Sequence, residues 1–338
     1  MKSYGIENKE YEWFSDYLFN RKQCVLFDGI CSESNHVVCW VPQGSILGPL
    51  LFVLLINDAY KVLDKANILL YADDTVVYFA HKDPLVIQNT LCEEAGKMSK
   101  WLDKNHLILN LKKGKTELVL YGSCQMMTKV KPEIKVHIDN IPINESKSYT
   151  YLGVEIDKYL NFQSYVDNIY KKCTSRVKLL QRIRGTITPI VAETIFKSMI
   201  RPIITYCHPI HLSLSRYHID KFESIQNRCY KIIENGSHNI LRPNYDSIEE
   251  TIRKKSLTDV FKIINNINSI SLFEDYFKKR SHGCNTRGNN SLLEIPKIRT
   301  ETARKMFRSK GAVLINTLPS IIREEQSLII FKRSLTSL

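Results

Sequence analysis

Apolar positions recur at helical spacing over residues 7–19, where Tyr11, Phe14 and Leu18 share a face near Trp13, so the chain opens on an amphipathic helix. Two strand-like runs follow, QCVLF at 23–27 and VVCWV at 37–41, separated by polar turn residues. Pro42, Gln43, Gly44 and Ser45 then form a loop, and Ser45 suits the cap of an apolar helix over about 47–60. The segment NILLYADDTVVYFA at 67–80 is two β-rich apolar runs joined by two acidic residues, the pattern of a hairpin. Leu91, Ala95, Met98, Trp101 and Leu102 mark a helix over 85–104 that packs on a sheet. Further strands are predicted at 106–110, 117–121, 134–138 and 149–156. From 163 onward the helical period dominates, with helices at 163–186, 189–200, 216–234 and 247–267. A basic loop, KKRSHGCNTRGNN at 278–290, precedes a last small unit.

Composition changes the picture in one respect. With 338 residues, 43% hydrophobic and 25% charged, the chain has the apolar content to bury a core, which excludes a disordered, collagenous or disulfide-scaffold protein. Its net charge is +13, and the distribution is uneven. Residues 1–157 hold 17 Lys and Arg against 20 Asp and Glu, whereas 158–338 hold 31 against 15, so the halves carry −3 and +16. A near-neutral acidic half beside a strongly basic one points to carboxylate chemistry joined to a polyanion grip; a solvated lysine surface is the alternative.

The nine cysteines are odd in number, irregularly spaced and without a CxxC pair, which reads as reduced, buried thiols in an intracellular compartment, cytoplasm or nucleus. The N-terminus has no apolar signal core, and the longest apolar stretch, 46–56, has 11 residues, too few to span a bilayer. A soluble chain with no membrane partner is expected.

The sharpest chemical feature is Asp73 and Asp74 in Tyr71-Ala72-Asp73-Asp74. Adjacent aspartates repel at an apolar hairpin tip, a conflict that a divalent cation removes. A pair of Mg2+ ions held about 4 Å apart by carboxylates moves a nucleotidyl group; a plain polar turn is the competing reading. Cys207, His208, His211, His218 and Cys229 superficially resemble zinc ligands, but their spacing fits no finger and Pro209 interrupts the run.

Around the aspartates stand VPQGSILGPLLF at 41–52, LNLKKGKTELVLYG at 109–122 and YTYLGVEID at 149–157. In order and spacing these resemble the reverse transcriptases of non-LTR (LINE-type) retrotransposons over residues 1–235, and NTLPSIIREEQSLIIFKRSL at 316–335 looks like the tail behind such domains. The resemblance implies an α+β fold. A right-hand polymerase palm with an antiparallel sheet and packed helices would occupy 1–157, an all-helical basic thumb 158–270, and a small C-terminal unit 271–338. It implies Asp73 and Asp74 as catalytic metal ligands for Mg2+. Gln43, Gly44 and Tyr71 would face substrate and template, Lys115 would protonate the leaving pyrophosphate, and Tyr151, Leu152 and Gly153 would form the primer grip. Two extra residues between Asn110 and Lys115 leave Lys113 as a competing assignment, and Lys112, Lys113 and Lys115 also read as a solvated strand entry. Implied partners are an RNA template, a DNA primer and, once complemented, deoxynucleoside triphosphates.

The same resemblance implies an earlier palm strand with a third carboxylate, placed before the segment that here begins at Tyr4. Asp16, Asp28 and Asp58 do not replace it. The chain is therefore expected to lack fingers and first strand, to be inactive as an RNA-directed DNA polymerase by itself, and to need a partner chain supplying both. The competing classes are a non-catalytic nucleic-acid-binding module and a functionless relic.

Overall fold

The computed structural model describes residues 4–37, 41, 44–130, 133–234, 246–267, 273, 275–280 and 291–337. Helices and small sheets make the chain α+β, and its contacts divide it into two compact units between Lys147 and Ser148. The boundary expected after 157 falls earlier because Val154, on the 148–157 hairpin, is buried with Val166 and Ile169 of the following helix. Divided there, the first unit has a formal charge of −1 and the second +14.

The first unit opens with the helix Asn8–Leu18, as its periodicity predicts, but none of its residues is buried. Trp13 stacks on Tyr17 at 5.9 Å instead. The run at 23–27 pairs with 30–36, and residues 38–40, most of the other expected strand, lie outside the described residues. The reason is local. Asp28 and Gly29 both take positive φ (50° and 78°), the pair of conformations that a tight two-residue hairpin turn of type I′ demands, so the chain reverses at once.

The apolar helix runs Gly48–Ile56, shorter than expected, and Ser45 Oγ accepts the Gly48 N–H at 3.0 Å. A 3-10 turn, Ala59–Val62, follows. The 67–78 hairpin forms as predicted, from Asn67–Tyr71 paired antiparallel with Asp74–Tyr78. Its Ile68 and Leu70 pack with Ile56, Ala59 and Met98, and the last comes from the helix Pro84–Lys104, which Asp83 caps by accepting the Leu85 N–H at 2.9 Å.

The remaining strand expectations in this unit shrink or fail. Residues 106–110 form no strand; Leu107 turns back to donate its N–H to the Leu102 carbonyl at 2.8 Å. Of 117–121 only Glu117–Leu118 is extended, pairing parallel with Asn144–Glu145, and of 134–138 only His137–Ile138, pairing with Ile141–Pro142. Cys124–Val130 is a helix that the pattern did not predict. Every sheet among the described residues has two strands, so the larger antiparallel sheet implied by the resemblance is not formed there.

In the second unit the hairpin Ser148–Tyr151 with Val154–Asp157 leads into the helix Gln163–Ile183. The Asp157 carboxylate fixes that junction by accepting the N–H groups of Tyr159, Asn161 and Phe162 at 3.0, 3.0 and 2.6 Å. The helix buries Tyr165, Val166, Ile169, Cys173, Val177 and Leu180, which share a core with Ile219, Phe222, Ile225 and Cys229 of the helix Arg216–Glu234. The predicted helix at 189–200 forms as Pro189–Ile195 continued by a π turn at Phe196–Ile200, and Arg201–Ile204 follows with Pro202 in its first turn. A second core joins Leu257, Val260 and Phe261 of the helix Ile248–Ile264 to Ala312, Ile315, Phe331 and Leu335. No helix among the described residues is long and apolar enough to cross a membrane.

Candidate active site

Tyr71 pairs with Asp74 across the 67–78 hairpin, and Ala72 and Asp73 close the turn. Ala72 takes φ 51°, a left-handed value that costs a residue with a Cβ roughly 1 kcal/mol. Side chains alternate along a strand, so Tyr71 and Asp74 share the face opposite the core contacts of Ile68 and Leu70. Tyr71 is 62% exposed, and both carboxylates are exposed too. A two-metal centre takes ligands from several carboxylates. Among the described residues no set of three His, Cys, Asp or Glu groups close enough to share an ion includes Asp73 or Asp74. As they stand, these two residues supply part of such a donor set and do not fit a complete one.

Gly44 adopts φ 80° at the loop before the Gly48–Ile56 helix, a conformation that suits glycine alone. Gln43 lies outside the described residues. Lys115 stands in a closed loop: Gly114 has φ 83°, the Lys115 N–H bonds to the Lys112 carbonyl at 3.0 Å, and Thr116 Oγ1 donates to the Asn110 carbonyl at 2.8 Å. Among the described residues no hydrogen bond or ion pair links Lys115 to Asp73 or Asp74. Tyr151, Leu152 and Gly153 belong to the second unit, where Leu152 and Gly153 (φ 47° and 79°) make another two-residue turn. Tyr206 supports that turn, its hydroxyl donating to the Leu152 carbonyl at 2.7 Å; nothing in the local pattern of a residue 54 positions away marks it.

A different acidic cluster brings three carboxylates within reach of one ion: Asp64, Glu93 and Glu94. The position is taken by an ammonium. Lys97 Nζ lies 2.7 Å from Asp64, 2.8 Å from Glu93 and 2.7 Å from Glu94. Glu94 is fully buried and also accepts the N–H groups of Asp64, Lys65 and Ala66, so it ties the 64–66 loop to the Pro84–Lys104 helix. Burial pushes its carboxyl up, but Lys97 and those N–H donors outweigh this and hold it below the ordinary value. The cluster is structural, and its signal was the spacing of Glu93, Glu94 and Lys97 on one helix.

The Cys and His run in the second unit packs in and against its core. Cys229 is buried, His218 Nε2 lies 2.8 Å from Gln163 Oε1, and His208 Nε2 lies 2.8 Å from Asp259 Oδ2. His211 is 2% exposed with neither ring nitrogen partnered, and it lies against Phe222 and Tyr165. Burial in general describes the cysteines poorly. Cys173 and Cys229 are buried, Cys92 and Cys207 half-buried, and Cys24, Cys31 and Cys124 exposed.

Comparison with known proteins bears on the segment that holds the paired aspartates and the glycine loop. Residues 1–156 match the family described as reverse transcriptase (RNA-dependent DNA polymerase). It is similar to the probable RNA-directed DNA polymerase from transposon X-element of Drosophila melanogaster, 26% identical over 224 residues, covering 64% of this chain and 24% of that protein. It also resembles the RNA-directed DNA polymerase from mobile element jockey of the same species, at 25% over 229 residues, covering 64% and 24%. A third relative, the probable RNA-directed DNA polymerase from transposon BS, is 24% identical over 234 residues, covering 66% and 25%. The chain spans about a quarter of the length of the curated relatives it matches.

Proposed function

We propose that the first unit is part of a polymerase palm and the second a basic thumb, and that together they serve RNA-templated DNA synthesis from a primer 3′-hydroxyl. The observation that carries this is the exposed Asp73–Asp74 pair at a strained hairpin turn, with Asp74 on the face turned away from the core. Asp73 and Asp74 would be metal ligands, Lys115 the proton donor to pyrophosphate, and Gln43, Gly44 and Tyr71 the wall of the nucleotide and template pocket. Tyr151, Leu152 and Gly153 would hold the primer. A third carboxylate would come from a further strand, supplied by a partner segment. The 67–78 hairpin has room for one, since it pairs with no third strand among the described residues.

The second reading, a nucleic-acid-binding module without catalysis, is favoured by the +14 charge of the second unit. On its helix Gln163–Ile183, Lys171, Lys172, Arg176, Lys178 and Arg182 are exposed, and Lys171, Lys178 and Arg182 lie opposite the buried stripe.

Anisotropy of the full chain on a labelled RNA–DNA template–primer across a salt series, with primer extension in Mg2+ or Mn2+, tests both. Binding that weakens steeply against log salt and an absence of extension are expected. Extension that disappears in Asp73→Ala would overturn the inactivity of these residues alone, and binding indifferent to salt would overturn the phosphate grip.

A further inference from the structure

The 22–36 hairpin changes register halfway. Lys22 and Gln23 pair with His36 and Asn35, whereas Leu26 and Phe27 pair with Cys31 and Ile30. Two residues on one strand, Cys24 and Val25, therefore face three on the other, Ser32, Glu33 and Ser34, which is a β-bulge. Val25 and Ser32 hold the inner edge of the bulge: Ser32 N–H donates to the Val25 carbonyl at 2.9 Å, and Val25 N–H donates to Ser32 Oγ at 2.9 Å. Cys24 stands two residues before Leu26, so it lies on the same face as the Leu26–Cys31 pair and is the diagonal neighbour of Cys31. A bulge adds twist. Here the two sulfurs are 2.9 Å apart, Cys31 Sγ–H donating to Cys24 Sγ, and both residues are exposed. A disulfide bond is about 2.05 Å long, so less than about 1 Å of travel separates the two states.

We propose that Cys24 and Cys31 are a redox-active dithiol that closes reversibly to a disulfide across this hairpin. The oxidant is a low-molecular-weight disulfide such as glutathione disulfide. The Cys24 thiolate attacks one of its sulfurs, expelling one glutathione thiolate and forming a mixed disulfide. The Cys31 thiolate then attacks Cys24 Sγ and expels the second. The protein loses two protons and two electrons, and one glutathione disulfide becomes two glutathione thiols.

The hairpin has reason to need a covalent tie. Val25, Leu26, Phe27 and Ile30 are 67–80% exposed, so no burial supports four ladder pairs split by a bulge, and an isolated two-stranded ribbon is marginal in water. The Cys31 thiol is held above its ordinary range by its bond to Cys24, so exchange proceeds from Cys24 first.

The test uses the full chain in stepped glutathione and glutathione disulfide buffers, acid-quenched and alkylated. Cleavage before Asp28 and after Glu33 separates Cys24, Cys31 and Cys39. Cys24 and Cys31 peptides should be joined at a ratio where glutathione on exposed Cys124 is about tenfold less abundant, because intramolecular closure outcompetes a second external thiol. In Cys31→Ser the join disappears and Cys24 retains glutathione, whereas Cys39→Ser leaves the join intact. Amide exchange at Val25 and Ser32 should slow on oxidation. Cys24 and Cys31 each carrying glutathione to the extent of Cys124, with no join, would overturn the proposal. Joining as fast in urea as in buffer would overturn it as well, since the hairpin would then contribute nothing.

Discussion

Tyr206 Oη lies 2.7 Å from the carbonyl oxygen of Leu152 and donates to it, and the Tyr206 ring also covers Gly153, where an added Cβ would lie 3.7 Å from Cε1. A turn with two residues at positive φ is thus held from outside by a side chain of the same unit. In Tyr206→Phe the ring stays and the hydrogen bond goes. The expected cost is about 1 kcal/mol, seen as a lower melting temperature with faster amide exchange at Gly153 and Val154. Unchanged exchange at those two amides would show that the turn holds itself.

Removing the Glu94 charge should destabilise the first unit far more. Glu94→Gln strips Lys97 of one buried partner and weakens three backbone bonds, for about 3 kcal/mol by urea titration. The same network predicts acid lability. Lys65 and Lys97 draw Glu93 from its ordinary 4.5 down to about 2, and Glu94 is lowered as well. Between those values the unfolded chain binds more protons than the folded one. Stability from these groups is complete above pH 4.5 and drains away as pH falls toward 2. Denaturant midpoints measured across that window should fall in the native chain and change less in Glu94→Gln.

His211 acts in a higher window. Burial, with His208 and Lys255 nearby, pushes its imidazole from 6.5 down to about 3, so the folded chain keeps it neutral while the unfolded chain protonates it. Its contribution costs nothing above pH 6.5 and subtracts from stability as pH falls toward 3. His211→Phe removes two unpartnered ring nitrogens from an aromatic site, and the variant should be more stable by about 1 kcal/mol, with a flatter pH profile between those values. A variant less stable than the native chain at pH 5 would count against this account.

Thiol labelling separates buried from exposed cysteines. Burial pushes Cys173 up to about 11 and Cys229 to about 12, so neither offers thiolate near pH 8, whereas Cys124 is exposed. Iodoacetamide should modify Cys124 in the native chain and reach Cys173 and Cys229 only after denaturant is added, by peptide mapping.

Much of the second unit was legible because helical burial is a local signal. The stripe from Tyr165 to Leu180 follows 3.6-residue spacing, and the partner stripe from Ile219 to Cys229 does the same. The helix at 189–200 was legible too, although its last five residues wind as a π turn that periodicity does not reveal. Strands were harder. Leu118 and Ile138 satisfy β propensity, yet a strand extends only as far as it finds a partner, and two residues were all that found one. At the candidate site the Tyr71–Asp74 hairpin was legible, while the help that Tyr206 gives to Leu152 was not, because it spans 54 residues of chain.

The sequence alone determined the long helices, the acidic turn at Asp73 and Asp74 and the concentration of positive charge toward the C-terminus, since each is written in neighbouring residues. Tertiary structure decided three things that long-range contact controls. It assigned the 148–157 hairpin to the basic unit, because Val154 is buried with Val166 and Ile169. It put an ammonium rather than a metal among Asp64, Glu93 and Glu94, because Lys97 lies one helical turn from both glutamates. And it set Cys24 against Cys31, because a one-residue change of register moved a diagonal pair into contact.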